Sequence, residues 1–323
     1  MRLGLVVNSE RPGAEKWSKD LLIFLAKLAG SDPLLISYID PRKPFDGLPE
    51  SVPVVSLEDL VARSEVVFSL GGDGTMLGVG RAIVRSSSSA KLIGVNLGRL
   101  GFIADNQPEE LEVLVEELAA GRLIEEKRLL VSAMVGSEAS SPEALHIRRG
   151  PAQMGAHNSG EQFVELIGLN EIIVDNFGST RMLTFEIRID GSLLGTMRAD
   201  GLILATPTGS TGYAVSAGGP IVEPSSPVLL ITPIAPHSLN VRPVIVPDNV
   251  TIQVRVHSDE SMEALIVADG QEEVVARTPA TVSVTASKKQ ITLLHRSKSR
   301  YYDRLRDKLL WSIDARDESS MRR

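Results

Sequence analysis

Five consecutive residues, Gly71-Gly72-Asp73-Gly74-Thr75, combine one carboxylate and one hydroxyl with three residues that lack a Cβ. Glycine lets backbone N–H groups turn toward a ligand and approach it closely, and a helix N-terminus favours negative charge. The run therefore suits an anion of the phosphate type held over the start of a helix. Asp73 would repel phosphate, so its chemistry is either to anchor a magnesium ion or to orient and deprotonate an attacking hydroxyl. A bare turn with Asp and Thr as helix caps would need one glycine, not three. Other phosphate loops fail by inspection. No Gly-x-x-x-x-Gly-Lys-Ser/Thr run occurs, Leu77 stands where the third glycine of Gly-x-Gly-x-x-Gly belongs, and there is no His-Arg-Asp triplet.

Three further segments carry polar groups at element ends. Gly94-Val95-Asn96-Leu97-Gly98-Arg99-Leu100-Gly101-Phe102 is a second strand pattern that stops in glycines; it is a tight turn or a second wall of the same nucleotide site. Asn170-Glu171 opens the strand pattern Ile172-Ile173-Val174. A solvated strand start is the plain reading, yet Asn and Glu also suit ribose hydroxyls or an adenine edge. From Arg198 to Pro220 a strand enters a loop carrying several Ser and Thr hydroxyls together with Gly209, Gly212, Gly218 and the aromatic Tyr213. Buried hydroxyls must each find a partner, so this loop points to a polar ligand with an aromatic part. The five histidines stand at no metal-ligand spacing, and His237 is equally a turn residue or a site residue.

The elements that must hold these residues fall into two textures. Up to Arg122, strand patterns (Leu3–Val7, Leu34–Ile39, Val52–Val55, Val66–Leu70, Lys91–Asn96) alternate with helical ones (Glu15–Ala29, Met76–Val84, Pro108–Gly121). That order predicts a parallel sheet covered by helices, with ligands outside the carboxyl ends of the strands, where the glycine run falls. Beyond it, period-2 segments such as Thr184–Ile189, Thr251–Val256, Ala264–Val267, Thr281–Ala286 and Gln290–His295, with Asp190-Gly191 and Asp269-Gly270 turns, predict an antiparallel β domain. Gly136–Gln162, rich in small and polar residues, reads as a mobile insertion. Ser299–Ile313 reads as a helix that returns to the first domain. The expected division is 1–122, 123–296 and 297–323.

Composition narrows the function. Against 34 basic residues stand 41 acidic ones, a net charge of −7, which argues against a nucleic-acid footprint and an anionic membrane surface. There is no cysteine, so disulfides, thiolate nucleophiles and thiolate metal sites are excluded. No apolar run is long enough to span a bilayer, and a cytoplasmic protein is expected.

Taken together, Gly71–Thr75, Asn96–Phe102, Asn170-Glu171, Arg198–Pro220, Thr232–Pro243 and Asp269-Gly270-Gln271 resemble the NAD kinase family, over most of the chain. The first run alone is shared with diacylglycerol and sphingosine kinases; the Thr-Pro-Thr-Gly-Ser-Thr segment with the Asn-Glu pair is more specific. The resemblance implies a Rossmann-like α/β domain, a β domain, and transfer of the terminal phosphate of ATP to the 2′-hydroxyl of the adenosine ribose of NAD. It also implies magnesium arriving with the ATP phosphates, and a homodimer or homotetramer. By motif, Asp73 would be the catalytic aspartate, with Gly71, Gly72, Gly74, Thr75 and Asn96 around the nucleotides. Asn170, Glu171 and Asp200 would hold NAD, with Thr211, Gly212, Tyr213 and Ser216 lining the same pocket and Arg181, Arg198 and Gln271 contributing. Gly212 departs from the pattern, since the family usually carries alanine there. The alternatives are a lipid kinase of the same superfamily, which would want a basic or amphipathic face, and a catalytically silent nucleotide-binding regulator.

Overall fold

The computed structural model describes residues 1–28, 35–39, 52–98, 101–137, 145–149, 163–177, 181–258, 262–296 and 300–309. The chain forms two compact units, one made of Met1–Glu126 with Thr292–Arg323 and the other of Lys127–Ile291.

The first unit begins β1 (Leu3–Val7), α1 (Ala14–Leu28), β2 (Leu35–Ile39), α2 (Leu57–Arg63), β3 (Val66–Gly71), α3 (Asp73–Arg85), β4 (Lys91–Asn96), α4 (Leu111–Ala119) and β5 (Ile124–Arg128). The second unit holds β6 (Val131–Ser137), β7 (Leu145–Arg149), β8 (Phe163–Gly168), β9 (Glu171–Asn176), β10 (Leu183–Ile189), β11 (Ser192–Ala199) and β12 (Gly201–Ala205). It continues with the single turn α5 (Tyr213–Ser216), then β13 (Val228–Ile234), β14 (Val244–Pro247), β15 (Ile252–His257), β16 (Glu263–Ala268), β17 (Glu272–Arg277) and β18 (Ala280–Ala286). Strand β19 (Ile291–His295) and helix α6 (Arg300–Leu309) lead back into the first unit.

The first unit is built on one sheet of order β2-β1-β3-β4-β19-β5, whose β2, β1, β3, β4 and β19 run parallel. Every residue of β3 is buried, as a central parallel strand covered on both faces requires. Leu21 and Leu25 of α1 and Leu111 and Leu114 of α4 meet Leu5, Phe68 and Ile93 in one core. Helix α2 starts where the Ser56 hydroxyl accepts the Asp59 N–H at 3.1 Å.

Two antiparallel sheets make the second unit, β11-β10-β15-β18-β6-β8 and β14-β13-β12-β9-β16-β17-β7. Phe185, Val254 and Val282 from one and Val174, Leu204 and Val274 from the other share a single core, so the sheets form a sandwich. The alternation of buried and partly exposed residues along β10 is the period-2 pattern of the sequence.

Three sequence expectations are corrected. Val52–Val55 holds an isolated bridge at Val54 and no strand. Gln290–His295, whose alternation groups it with the antiparallel series, instead pairs parallel with β4 through Leu293 and Leu92; a period of 2 does not say which sheet a strand joins. Gly136–Gln162 is not wholly an insertion. Gly136 and Ser137 belong to β6, and β7 pairs antiparallel with β17 from Leu145–Ala276 to Arg149–Glu272, with Leu145 in the core. A five-residue strand is too short to stand out among small and polar neighbours. The rest of that segment, with Arg99, Leu100 and the residues after Leu309, lies outside the described residues.

Candidate active site

In the first unit the site is laid down where β3 and β4 end side by side. Gly71 pairs with Asn96, and Leu97 donates its N–H to the Gly71 carbonyl at 2.8 Å. A Cβ on Gly71 would stand 2.3 Å from the Thr75 hydroxyl oxygen, so only glycine lets the chain turn there. Asn96 is buried, and its Oδ1 accepts the Gly98 N–H at 2.8 Å, closing the second glycine turn. Gly72 caps α3 in extended backbone, and Asp73 is the first helical residue.

The Asp73 side chain turns toward the segment after the second glycine turn. Its Oδ2 accepts the Phe102 N–H at 2.8 Å, and its Oδ1 accepts those of Ile103 at 3.2 Å and Ala104 at 2.9 Å. Gly101 must be glycine, since a Cβ there would lie 1.8 Å from Asp73 Oδ1. A carboxylate offers about four acceptor sites, so three are taken by these backbone N–H groups and one is left over. Asp73 is thus a structural anchor as well as a candidate base, a role its motif does not announce.

Arg11, which the sequence did not single out, reaches across both glycine turns. Its Nη2 lies 3.5 Å from the point a Cβ of Gly72 would occupy and its Nη1 3.6 Å from that of Gly98. No carboxylate pairs with this guanidinium among the described residues. Charge and place suit a phosphate group above the turns.

In the second unit the site is built around the first residue of β9. Asp269, at φ 51° in the turn between β16 and β17, accepts three consecutive N–H groups: Leu169 at 2.9 Å, Asn170 at 2.8 Å and Glu171 at 3.2 Å. From the other side the Thr206 hydroxyl donates to the Leu169 carbonyl at 2.6 Å, and the Thr206 N–H donates to the Asn170 carbonyl at 2.8 Å. Gly209 packs so closely that a Cβ would sit 2.1 Å from the Asn170 carbonyl oxygen. The backbone of Asn170 and Glu171 is thereby fully fixed, while Asn170 Oδ1 and Glu171 Oε2 are buried with no hydrogen-bond partner. Burial, reinforced by the charge of Asp269, pushes the Glu171 carboxyl up to about 8. A protonated Glu171 donates one hydrogen bond and still accepts.

The loop after β12 spends its hydroxyls differently from the sequence expectation. Ser210 donates to the Pro207 carbonyl at 2.6 Å and accepts the Val222 N–H at 3.0 Å. Thr211 donates to the Thr208 carbonyl at 3.2 Å, and the Thr208 hydroxyl accepts from Arg128 at 3.2 Å. These groups shape the loop. Gly212 faces Glu171, with the position of a Cβ 3.1 Å from Glu171 Oε2 and 3.5 Å from Asn170 Nδ2. Tyr213 and Ser216 on α5 are exposed.

Asp200, Arg198 and Arg181 are not brought to Glu171. Gly201 pairs with Asp175 and Ala205 with Glu171, so Asp200 lies at the other end of β9 and β12, about 17 Å away along the strands. There burial pushes the Asp175 carboxyl up against the lowering effect of the Asn176 N–H, and Asp200's like charge adds to the rise. Arg198 and Arg181 are exposed at that end, and the Arg181 carbonyl accepts from Asn176 Nδ2 at 3.0 Å. Gln271 sits two residues past Asp269 in the same turn, its N–H on the Ala268 carbonyl at 2.9 Å.

An open parallel sheet with a glycine turn after a central strand, and a β sandwich presenting unpaired buried polar atoms, suit a nucleotide-binding protein of the phosphotransfer class. Comparison with known proteins sharpens this. The family model for the ATP-NAD kinase N-terminal domain matches residues 55–123, and that for the C-terminal domain matches residues 169–296. The chain is 38% identical over 259 residues to the NAD kinase of Thiobacillus denitrificans, covering 80% of this chain and 81% of that one. It is 37% identical to the NAD kinase of an Azoarcus species, covering 80% of each. The chain belongs to the ATP-NAD kinase family. Among solved structures, yeast NADH kinase complexed with NADH shares the fold, with a TM-score of 0.75 and 24% identity over 96% of this chain and 87% of that one. The NAD kinase of Archaeoglobus fulgidus in complex with ATP aligns with a TM-score of 0.66 and 25% identity over 94% and 96%.

Proposed function

We propose that the protein transfers the terminal phosphoryl group of ATP to the 2′-hydroxyl of the adenosine ribose of NAD, yielding NADP and ADP. The observation that carries this reading is the pair Asn170 Oδ1 and Glu171 Oε2, buried without partners on a backbone pinned by Asp269 and Thr206. Buried polar atoms are rarely left unsatisfied; these two are suited to hydroxyls of a bound dinucleotide. By motif Thr211, Gly212, Tyr213 and Ser216 are assigned to the same dinucleotide site, Thr211 through its place in the loop rather than its hydroxyl, with Gln271 as a secondary contact; Asp200, Arg181 and Arg198, at the other end of β9 and β12, would meet a more distant part of the dinucleotide.

In the other unit the donor phosphates lie over Gly71–Thr75, where α3 begins and the Arg11 guanidinium offers charge. Asp73 uses its remaining acceptor site to orient the ribose hydroxyl. As the O2′–Pγ bond forms and the Pγ–Oβγ bond breaks, Asp73 receives the hydroxyl proton and ADP leaves with the bonding electrons. An unperturbed carboxylate is a weak base at neutral pH, so that proton moves late and positioning dominates catalysis.

A divalent cation, magnesium in this reading, neutralises the phosphate charge when bound. No cluster of three His, Asp or Glu with metal-binding geometry is present among the described residues. The cation is therefore read as entering on the triphosphate, as magnesium commonly does.

The reading extends to a cytoplasmic homodimer or homotetramer. No helix among the described residues is long and apolar enough to cross a membrane. Association is supported by Leu193, Leu194 and Ile245, exposed by 46–56% on the edge strands β11 and β14. The deciding experiment is NADP formation from NAD, ATP and magnesium by the purified protein, read by an NADP-specific dehydrogenase. NADP is expected. Intact NAD binding without product, also with polyphosphate or another triphosphate as donor, would leave a silent nucleotide-binding protein; no NAD binding would end the reading.

A further inference from the structure

The segment that holds Asp73 is itself held from the far end of the chain. Phe102, Ile103 and Ala104 give their N–H groups to the Asp73 carboxylate, and Asp105 follows directly. Asp105 is buried, and its Oδ2 accepts from His295 Nδ1 at 2.8 Å and from Arg304 Nη1 at 3.0 Å. His295 Nε2 in turn faces the Glu126 carboxylate at 3.3 Å. One helical turn beyond Arg304, Lys308 Nζ stands 4.3 Å from the centroid of the Phe102 ring, a cation–π contact. Backbone pairing of the segment to β4 is confined to Asn106, which bridges Val95 and exchanges bonds with Asn96 and Gly94. The stretch carrying the three donors is therefore clamped mainly by side chains, with Lys308 at one end and Arg304 at the other.

We propose that α6 positions the catalytic carboxylate: Arg304, through Asp105, and Lys308, through Phe102, fix the three N–H groups that aim Asp73. Partial burial lowers the pKa of Lys308, the nearby charge of Asp73 opposes that fall, and the like charge of Arg304 adds to it. Lys308 acts on Asp73 without touching the reacting atoms, so it is a positioning residue. The inference rests on the reading of Asp73 as the catalytic aspartate.

Full-length Lys308→Met and Lys308→Arg are compared with wild type, with Asp73→Asn in parallel. Hydrogen exchange of the peptide bearing Phe102–Ala104 is followed by mass spectrometry, alongside kcat, KM for NAD and thermal midpoint. In Lys308→Met the segment exchanges faster, kcat falls about tenfold through misplacement of the carboxylate, KM for NAD is unchanged, and Lys308→Arg restores most of both losses. Wild-type exchange in Lys308→Met overturns the proposal. So does a rise in KM with kcat intact, or a loss that Lys308→Arg fails to restore and that tracks the thermal midpoint. Wild-type turnover by Asp73→Asn would instead remove Asp73 from catalysis, while the exchange measurement still judges the clamp.

Discussion

Asp269 and Glu171 are two carboxyl residues bound to one turn: the carboxylate of the first accepts the backbone N–H of the second at 3.2 Å. Burial raises the second carboxyl, and the charge of the first raises it further, to about 8. The arrangement fixes the backbone of Asn170 and Glu171 at an electrostatic cost to the Glu171 side chain. It also makes that cost measurable.

Glu171 binds its proton more tightly folded than unfolded, so its contribution favours the native state at low pH and is lost as pH rises from about 4.5 to about 8. Denaturant unfolding at pH 6 and pH 9 should show wild type losing on the order of 1–3 kcal/mol more than Glu171→Gln. Equal losses in the two proteins would mean that Glu171 is ionised throughout.

Asp73→Asn places an amide donor against one of three N–H groups. Turnover is expected to fall about 10²–10⁴-fold, with stability down by about 1–3 kcal/mol for the unpaired backbone donor. Steady-state kinetics and thermal unfolding of the same preparation separate the two. Lost stability with unchanged turnover would leave Asp73 as an anchor alone.

Arg11→Gln removes the charge across the glycine turns. The expected result is a KM for ATP raised about tenfold, a KM for NAD unchanged, and a weaker dependence of the ATP term on salt. An unaltered KM for ATP would take Arg11 out of the donor site.

Two glycines of one loop should respond oppositely to alanine. In Gly209→Ala the methyl meets a backbone oxygen at 2.1 Å, which cannot yield, and about 2–3 kcal/mol of stability should be lost. In Gly212→Ala it meets Glu171 Oε2 at 3.1 Å, a side-chain atom that can move by a few tenths of an ångström. Folding should be nearly unaffected there, and the KM for NAD should change a few-fold. Chemical denaturation and initial-rate kinetics check both.

Much of this architecture is legible in the sequence where its cause is local. The apolar run Val66–Leu70 entering glycines marks a buried strand and its turn, and the alternation of Thr184–Ile189 marks a half-buried one. What stays hidden is long-range pairing. Asp269 looks like a turn residue, because the N–H groups it binds lie about a hundred positions earlier. Arg11 and Lys308 are ordinary charged residues until folding carries them to Gly72 and Phe102. The hydroxyls of Ser210 and Thr211 mislead in the opposite sense, since residue type cannot tell a ligand-binding hydroxyl from one that closes its own loop.

Strand β19 stands between β4 and β5 in the sheet of the first unit, although most of the second unit separates it from both in the chain. On the ribosome, translation thus reaches the end of the sandwich before the α/β sheet can close. Until Ile291–His295 emerges, the edge of β4 away from β3 is covered at Val95 by the Asn106 bridge, and its Leu92 end is open to pairing with another chain. Maturation of the glycine-turn unit is timed by the emergence of β19, and a transcript truncated before it yields a sheet with a missing rung.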